Sequence, residues 1–146
     1  MRRVVRAAAL ACVAAAGIGA ACGGGSAKDD TTGIKDRVNS LVDHYNSGDA
    51  KAILDDDVPA SARRTCSDKD AKDFLTQEKQ LAAHYAVKSI DNVNIAGKNA
   101  SATVSLTTDG AKTAQVPFAL VKNGGTWLLD TSGMDGCNGL FPSASG

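Results

Sequence analysis

The chain has 146 residues, 43% of them hydrophobic and only 4% aromatic, with 16 basic side chains against 16 acidic ones. That length accommodates one domain of ordinary size. The charge balance, with no basic cluster beyond the first six residues, excludes a nucleic-acid surface that works by displacing counterions.

Residues 1–21 have the layout of an export signal. Arg2, Arg3 and Arg6 form a basic start, and an uncharged Ala-rich run extends from Ala7 to Ala21. At about 1.5 Å per residue that run is about 22 Å long, too short for a permanent span of a hydrocarbon layer about 30 Å thick. Gly19-Ala20-Ala21-Cys22 resembles the lipobox of bacterial lipoproteins, with Gly19 where that motif usually has Leu, Val or Ile. The resemblance implies acylation of Cys22, which becomes the new N-terminus. Gly19-Ala20-Ala21 also suits an ordinary signal peptidase, which would release a secreted protein.

Cysteine counting bears on that choice. Cys12 is lost with the signal, leaving Cys22, Cys66 and Cys137. If Cys22 carries lipid, Cys66 and Cys137 are expected to form a disulfide in an oxidising envelope; otherwise an odd thiol is left over. The other reading of that pair is two buried free thiols. Residues 22–32, small and polar, read as a flexible tether holding the body to the membrane through the acyl chains.

From Ile34, the positions Ile34, Val38, Leu41, Val42 and Tyr45 form one stripe of an amphipathic helix, stopped by Asn46-Ser47-Gly48-Asp49. Asp49 can cap a short turn over Ala50–Leu54, and Pro59 imposes an irregular connection. Ser67-Asp68-Lys69-Asp70 fits a capping box for another long helix, whose apolar face reads Ala71, Phe74, Leu75, Leu81, Ala82 and Tyr85. The period then changes from 3.6 to 2. Ala100, Ala102, Val104 and Leu106 alternate with Ser and Thr; Val116, Phe118 and Leu120 follow the same rule, and Trp127-Leu128-Leu129 closes the series. Turns are expected at Gly97-Lys98-Asn99, Asp109-Gly110 and Asn123-Gly124. Pro117 implies a bulge or an edge. The fold class is therefore α+β, with N-terminal helices packed on a curved four-stranded antiparallel meander.

The helix end Val42-Asp43-His44-Tyr45-Asn46-Ser47-Gly48-Asp49 and the closing Phe118-Ala119-Leu120-Val121-Lys122-Asn123-Gly124-Gly125-Thr126-Trp127-Leu128-Leu129 resemble the cone of NTF2-like proteins. They are most similar to small exported lipoproteins of actinobacteria, including the low-molecular-weight secreted antigen family of mycobacteria. The resemblance covers about residues 33–137, and an NTF2-like domain is expected over residues 33–141, with a disordered tail at 142–146. It also implies a pocket enclosed by sheet and helices, which members use for catalysis, ligand binding or docking.

Candidate pocket-lining residues are Leu41, Tyr45, Phe74, Leu81, Tyr85, Val104, Phe118 and Trp127. An enzyme would draw on Asp55, Asp56 and Asp57 with His44, His84, Tyr45 and Tyr85 as acid–base partners. The blander reading is preferred: a solvated acidic loop, and His residues near helix ends in solvent. No catalytic residue, cofactor or metal site is assigned, although the acidic triplet could hold calcium weakly. The expected role is a non-enzymatic binding or interaction module of the cell envelope, with a small apolar ligand or an envelope protein as partner, and a homodimer as a further option. A pocket enzyme of isomerase or dehydratase type is the alternative.

Overall fold

The computed structural model describes residues 27–109 and 112–142; the signal run, Cys22 and the last four residues lie outside them. Helix α1 spans Ala27–Ser47, α2 spans Ala50–Ala52, and α3 spans Asp68–Leu81. Between α2 and α3, a π-helical turn covers Ile53–Asp57 and a 3₁₀ turn covers Ala60–Arg64. Strands β1 (Tyr85–Ala96), β2 (Asn99–Thr108), β3 (Lys112–Asn123) and β4 (Thr126–Leu129) form one antiparallel sheet in that order.

The stripe expected on the first helix is the one that is buried: Ile34, Val38, Leu41, Val42 and Tyr45. The helix, however, begins at Ala27, so residues 27–32 are helical and not tether. Asp29 and Asp30 stand in the first turn, where acidic groups complement the helix dipole. The decisive contact is tertiary: Lys122 Nζ lies 2.5 Å from Asp30 Oδ1, and Trp127 Nε1 donates to the same oxygen at 3.1 Å. Gly33 permits this approach, because a Cβ there would lie 3.1 Å from Trp127 Cδ1.

Gly48, at φ 75°, ends α1. The Asp49 side chain accepts from Ala52 N at 2.9 Å, the cap expected for the short turn. Ser67 caps α3, accepting from Asp70 N at 3.2 Å. Helix α3 stops at Leu81, earlier than its apolar series suggested: Ala82 is extended, and Tyr85 opens β1.

Strand β1 carries two register breaks, one around Asn92, whose φ is 50°; such bulges bend a strand and add twist. The β3–β4 turn has Gly124-Gly125 at its centre, one residue beyond the expected Asn123-Gly124, because Asn123 pairs with Thr126. Pro117 pairs opposite Thr103 with no break in register. β4 pairs with β3 only as far as Leu120, so among the described residues no strand lies beside that edge of β3 from Lys112 to Phe118.

The core lies between the helices and one sheet face. Ala100, Ala102, Val104 and Leu106 from β2 and Val116, Phe118 and Leu120 from β3 meet the α1 stripe there; each large side chain contributes roughly 1.5–3 kcal/mol through burial. Cys66 and Cys137 form a disulfide, with their Cα atoms 4.8 Å apart and 71 positions of sequence between them. A closed loop of that size stabilises by roughly 4 kcal/mol in the chain-entropy description. No helix among the described residues is long and apolar enough to cross a membrane.

Candidate functional site

The residues expected to line the cone are mostly its filling. Leu41, Tyr45, Tyr85, Val104 and Phe118 are buried, and Tyr45 and Tyr85 close on Phe141, with ring centroids 4.2 Å and 5.0 Å from it. The Tyr45 hydroxyl donates to Ala82 O at 2.8 Å, and burial raises the Tyr45 and Tyr85 phenols above their ordinary value. Both rings pack in the core. Leu81 is 82% exposed and is not part of the core; it stands about 120° around α3 from the buried Leu75, while the same last turn meets α1 through Lys79, whose Nζ donates to Asn46 O at 2.8 Å. Phe74 is half-buried and borders a small surface cleft beside Cys137. Trp127 borders a larger one.

That larger cleft, about 980 Å³, opens between α1 and the β3–β4 hairpin. Helix α1 supplies Asp29, Asp30, Gly33, Asp36, Arg37 and Ser40; the strand turns supply Lys98, Lys122 and the segment 123–127. Lys122 and Asp30 form an ion pair, and the Lys122 ammonium also stands 5.5 Å from the centroid of the Trp127 ring. Hydrogen bonds from Lys122 and then Trp127 hold the Asp30 carboxyl below its ordinary value. Among the described residues, the side chains of Asp36 and Lys98 have no hydrogen-bonding or ion-pair partner, and both are exposed. The cleft thus carries one unsatisfied charge of each sign.

Behind its wall lies a buried polar cluster. Asp57 is fully buried, contrary to the expectation of a solvated acidic loop. Arg37 Nη1 lies 2.5 Å from Asp57 Oδ1, Ser40 Oγ donates to that oxygen at 2.9 Å, and His44 Nδ1 lies 2.7 Å from Oδ2. A carboxylate only accepts, so His44 carries its proton on Nδ1. Arg37 also donates from Nε to Trp127 O at 2.8 Å, which joins the cluster to the hairpin. Buried charge requires such pairing.

Asp57 differs in this from its neighbours: Asp55 forms exposed ion pairs with Lys51 and Arg63, and Asp56 is exposed. His84 is exposed, its backbone N–H donating to Asp109 Oδ1. His44 therefore meets a carboxylate and not only the helix dipole. Arg37 and Ser40 were not singled out from sequence. The signal for them was present, since Arg37, Ser40 and His44 recur at i, i+3 and i+7, a polar ridge beside the apolar stripe. No group of His, Cys, Asp and Glu side chains among the described residues is arranged to hold a metal ion.

Helices followed by a four-stranded antiparallel sheet are the α+β arrangement expected from the sequence. No family model and no curated protein matches the chain. Among solved structures it is similar to a substituted form of a chain titled Rd1NTF2_05, at 18% identity and a TM-score of 0.48, over 70% of this chain and 94% of that one.

Proposed function

We propose that the protein is an exported, lipid-anchored binding module built on an NTF2-like cone. Its recognition site is the cleft between α1 and the β3–β4 hairpin, and its ligand is a small polar molecule bearing both charges. The observation that carries this reading is the contrast between a cone interior packed with Tyr45, Tyr85, Phe118 and Phe141 and an open cleft that presents unpaired Asp36 and Lys98 beside Trp127. The Cys66–Cys137 disulfide supports export, because such bonds persist in oxidising compartments. With those two sulfurs joined, Cys22 is the cysteine left for acylation once the signal is removed.

Native mass measurement of membrane-extracted protein tests the reading. Expected are an acyl adduct at Cys22, the two-hydrogen deficit of the bridge, and a non-covalent polar adduct that the Asp36→Ala/Lys98→Ala double variant loses. An unacylated chain in the medium would overturn the anchor; an adduct retained by the double variant would overturn the cleft.

One observation favours a second reading, acid–base catalysis. His44 has Nδ1 fixed by a buried carboxylate while its side chain is 27% exposed, the placement of a general base. Ser40 donates to Asp57 and not to His44, so the three do not form a nucleophile relay. His44 stands one helical turn beyond the cleft-lining Ser40, and turnover of a ligand there that stops in His44→Gln, with the fold retained, would establish this alternative.

A further inference from the structure

The segment after β4 is attached to the domain in an unusual way. Asp130 N donates to Ala119 O at 2.9 Å, the last backbone bond to the sheet. From Thr131 to Pro142, every backbone hydrogen bond among the described residues stays within the segment: Met134 to Thr131, Asn138 to Asp135, and Leu140 to Cys137. Ser132 N reaches back only to Asp130 Oδ1. Beside partly buried Met134, which packs on the core, two stronger ties hold the segment down. One is the bond from Cys137 to Cys66 ahead of α3; the other is the insertion of Leu140 and Phe141, 0% and 1% exposed, into the core. Phe141 packs tilted against both Tyr45 and Tyr85, which also meet each other edge-on at 5.1 Å between ring centroids. Gly136 and Gly139, both at positive φ, flank Cys137 and give the backbone the turns that this insertion needs.

We propose that Thr131–Pro142 is a covalently tied stopper, and that the space Leu140 and Phe141 fill against the Tyr45–Tyr85 pair is a binding site for a flat apolar ligand once the tie is cut. A dithiol reductant opens it. One reductant thiolate attacks a sulfur of the bridge to give a mixed disulfide, and the second thiol displaces the protein sulfur. The reductant leaves as a disulfide, two electrons pass to the protein, and Cys66 and Cys137 end as thiols with the two protons the dithiol gave up. While tied, Leu140 and Phe141 act as an intramolecular competitor at high effective concentration. Cut loose, they keep their own burial and the backbone link at Asp130 but lose the tie, and with no hydrogen bond to the body beyond Asp130 that burial must compete with the freedom of the untied segment. This site is separate from the charged cleft and stands or falls without it.

The test uses the full chain, with indole as the probe and NMR as the readout. In the oxidised protein, Phe141 ring protons should show contacts to Tyr45 and Tyr85, and indole should not bind at millimolar concentration. After reduction with dithiothreitol, the Phe141 contacts should vanish while those between Val104 and Val116 persist. Indole should then bind saturably, at least about tenfold more tightly, with shifts centred on Tyr45 and Tyr85; occlusion of nine-tenths or more of the site sets that factor. The variant Phe141→Ala, with its bridge intact, should bind indole by the same margin. Retention of the Phe141 contacts after reduction, collapse of the Val104–Val116 contacts along with them, or a vacated site that does not bind indole would each overturn the proposal.

Discussion

Arg37 and Asp57 join three parts of the chain at one point: Arg37 Nη1 meets Asp57 Oδ1 at 2.5 Å while Arg37 Nε donates to the carbonyl of Trp127. Asp57 has no exposure to water, so its charge depends wholly on Arg37, Ser40 and His44. Asp57→Ala should cost about 3–5 kcal/mol in denaturant unfolding, because it strands a partly buried guanidinium. Asp56→Ala, at an exposed neighbour, should stay within about 0.5 kcal/mol. Equal effects of the two substitutions would show that the cluster carries no structural weight.

Gly33 is a second place where one missing group matters. Alanine there would gain up to about 1 kcal/mol of helix propensity, yet its Cβ would stand 3.1 Å from Trp127 Cδ1. The indole cannot readily give way, since it is 3% exposed and its Nε1 is engaged by Asp30. Overpacking of this kind typically costs about 1–3 kcal/mol. Gly33→Ala is therefore expected to be net destabilising in thermal melts, with a shifted emission from Trp127, the chain's one tryptophan.

The link between Asp30 and the hairpin depends on pH. Lys122, then Trp127, hold the Asp30 carboxyl below its ordinary 3.8. The folded chain favours the ionised form, so the contribution is fully present above pH 3.8 and is lost as pH falls through the lower folded value. Acid titration followed by Trp127 fluorescence should show a step below pH 3.8. Asp30→Asn should lack it.

Leu75 and Leu81 belong to the same apolar series of α3 but lie about 120° apart around the helix, and they differ in burial, at 2% and 82% exposed. Leu75→Ala should cost about 2–5 kcal/mol, whereas Leu81→Lys should change unfolding free energy by less than about 0.5 kcal/mol. A large loss at Leu81 would mean that this side chain is covered in solution.

That pair marks the boundary of what the sequence made legible. Local periodicity and capping were readable: the five-residue stripe of α1, the Ser67 cap and the β2 alternation are all set by neighbours a few positions away. What was missed depends on distant partners. The first turns of α1 are secured by Lys122 and Trp127, which lie 92 and 97 positions from Asp30. Asp57 is buried only because a ridge of α1 passes over it. Leu140 and Phe141 sit in a Gly- and Ser-rich stretch with no periodicity, and a single covalent tie brings them into the core. An apolar series about 120° wide spans more of the helix than the core covers: Leu81 stands at its far edge, about 120° around from Leu75, which is why one is exposed and the other buried.

The shortness of β4 has one more effect. Among the described residues, no strand lies beside β3 from Lys112 to Phe118 on that side, leaving the kind of edge on which a strand from another molecule can assemble. Ala119 turns its carbonyl to that side to meet Asp130, and Pro117, two residues away, turns its backbone the same way. A pyrrolidine ring therefore stands where an incoming strand would look for a donor. A residue that would weaken an interior strand serves here as a guard against fibrillar stacking of one copy on the next.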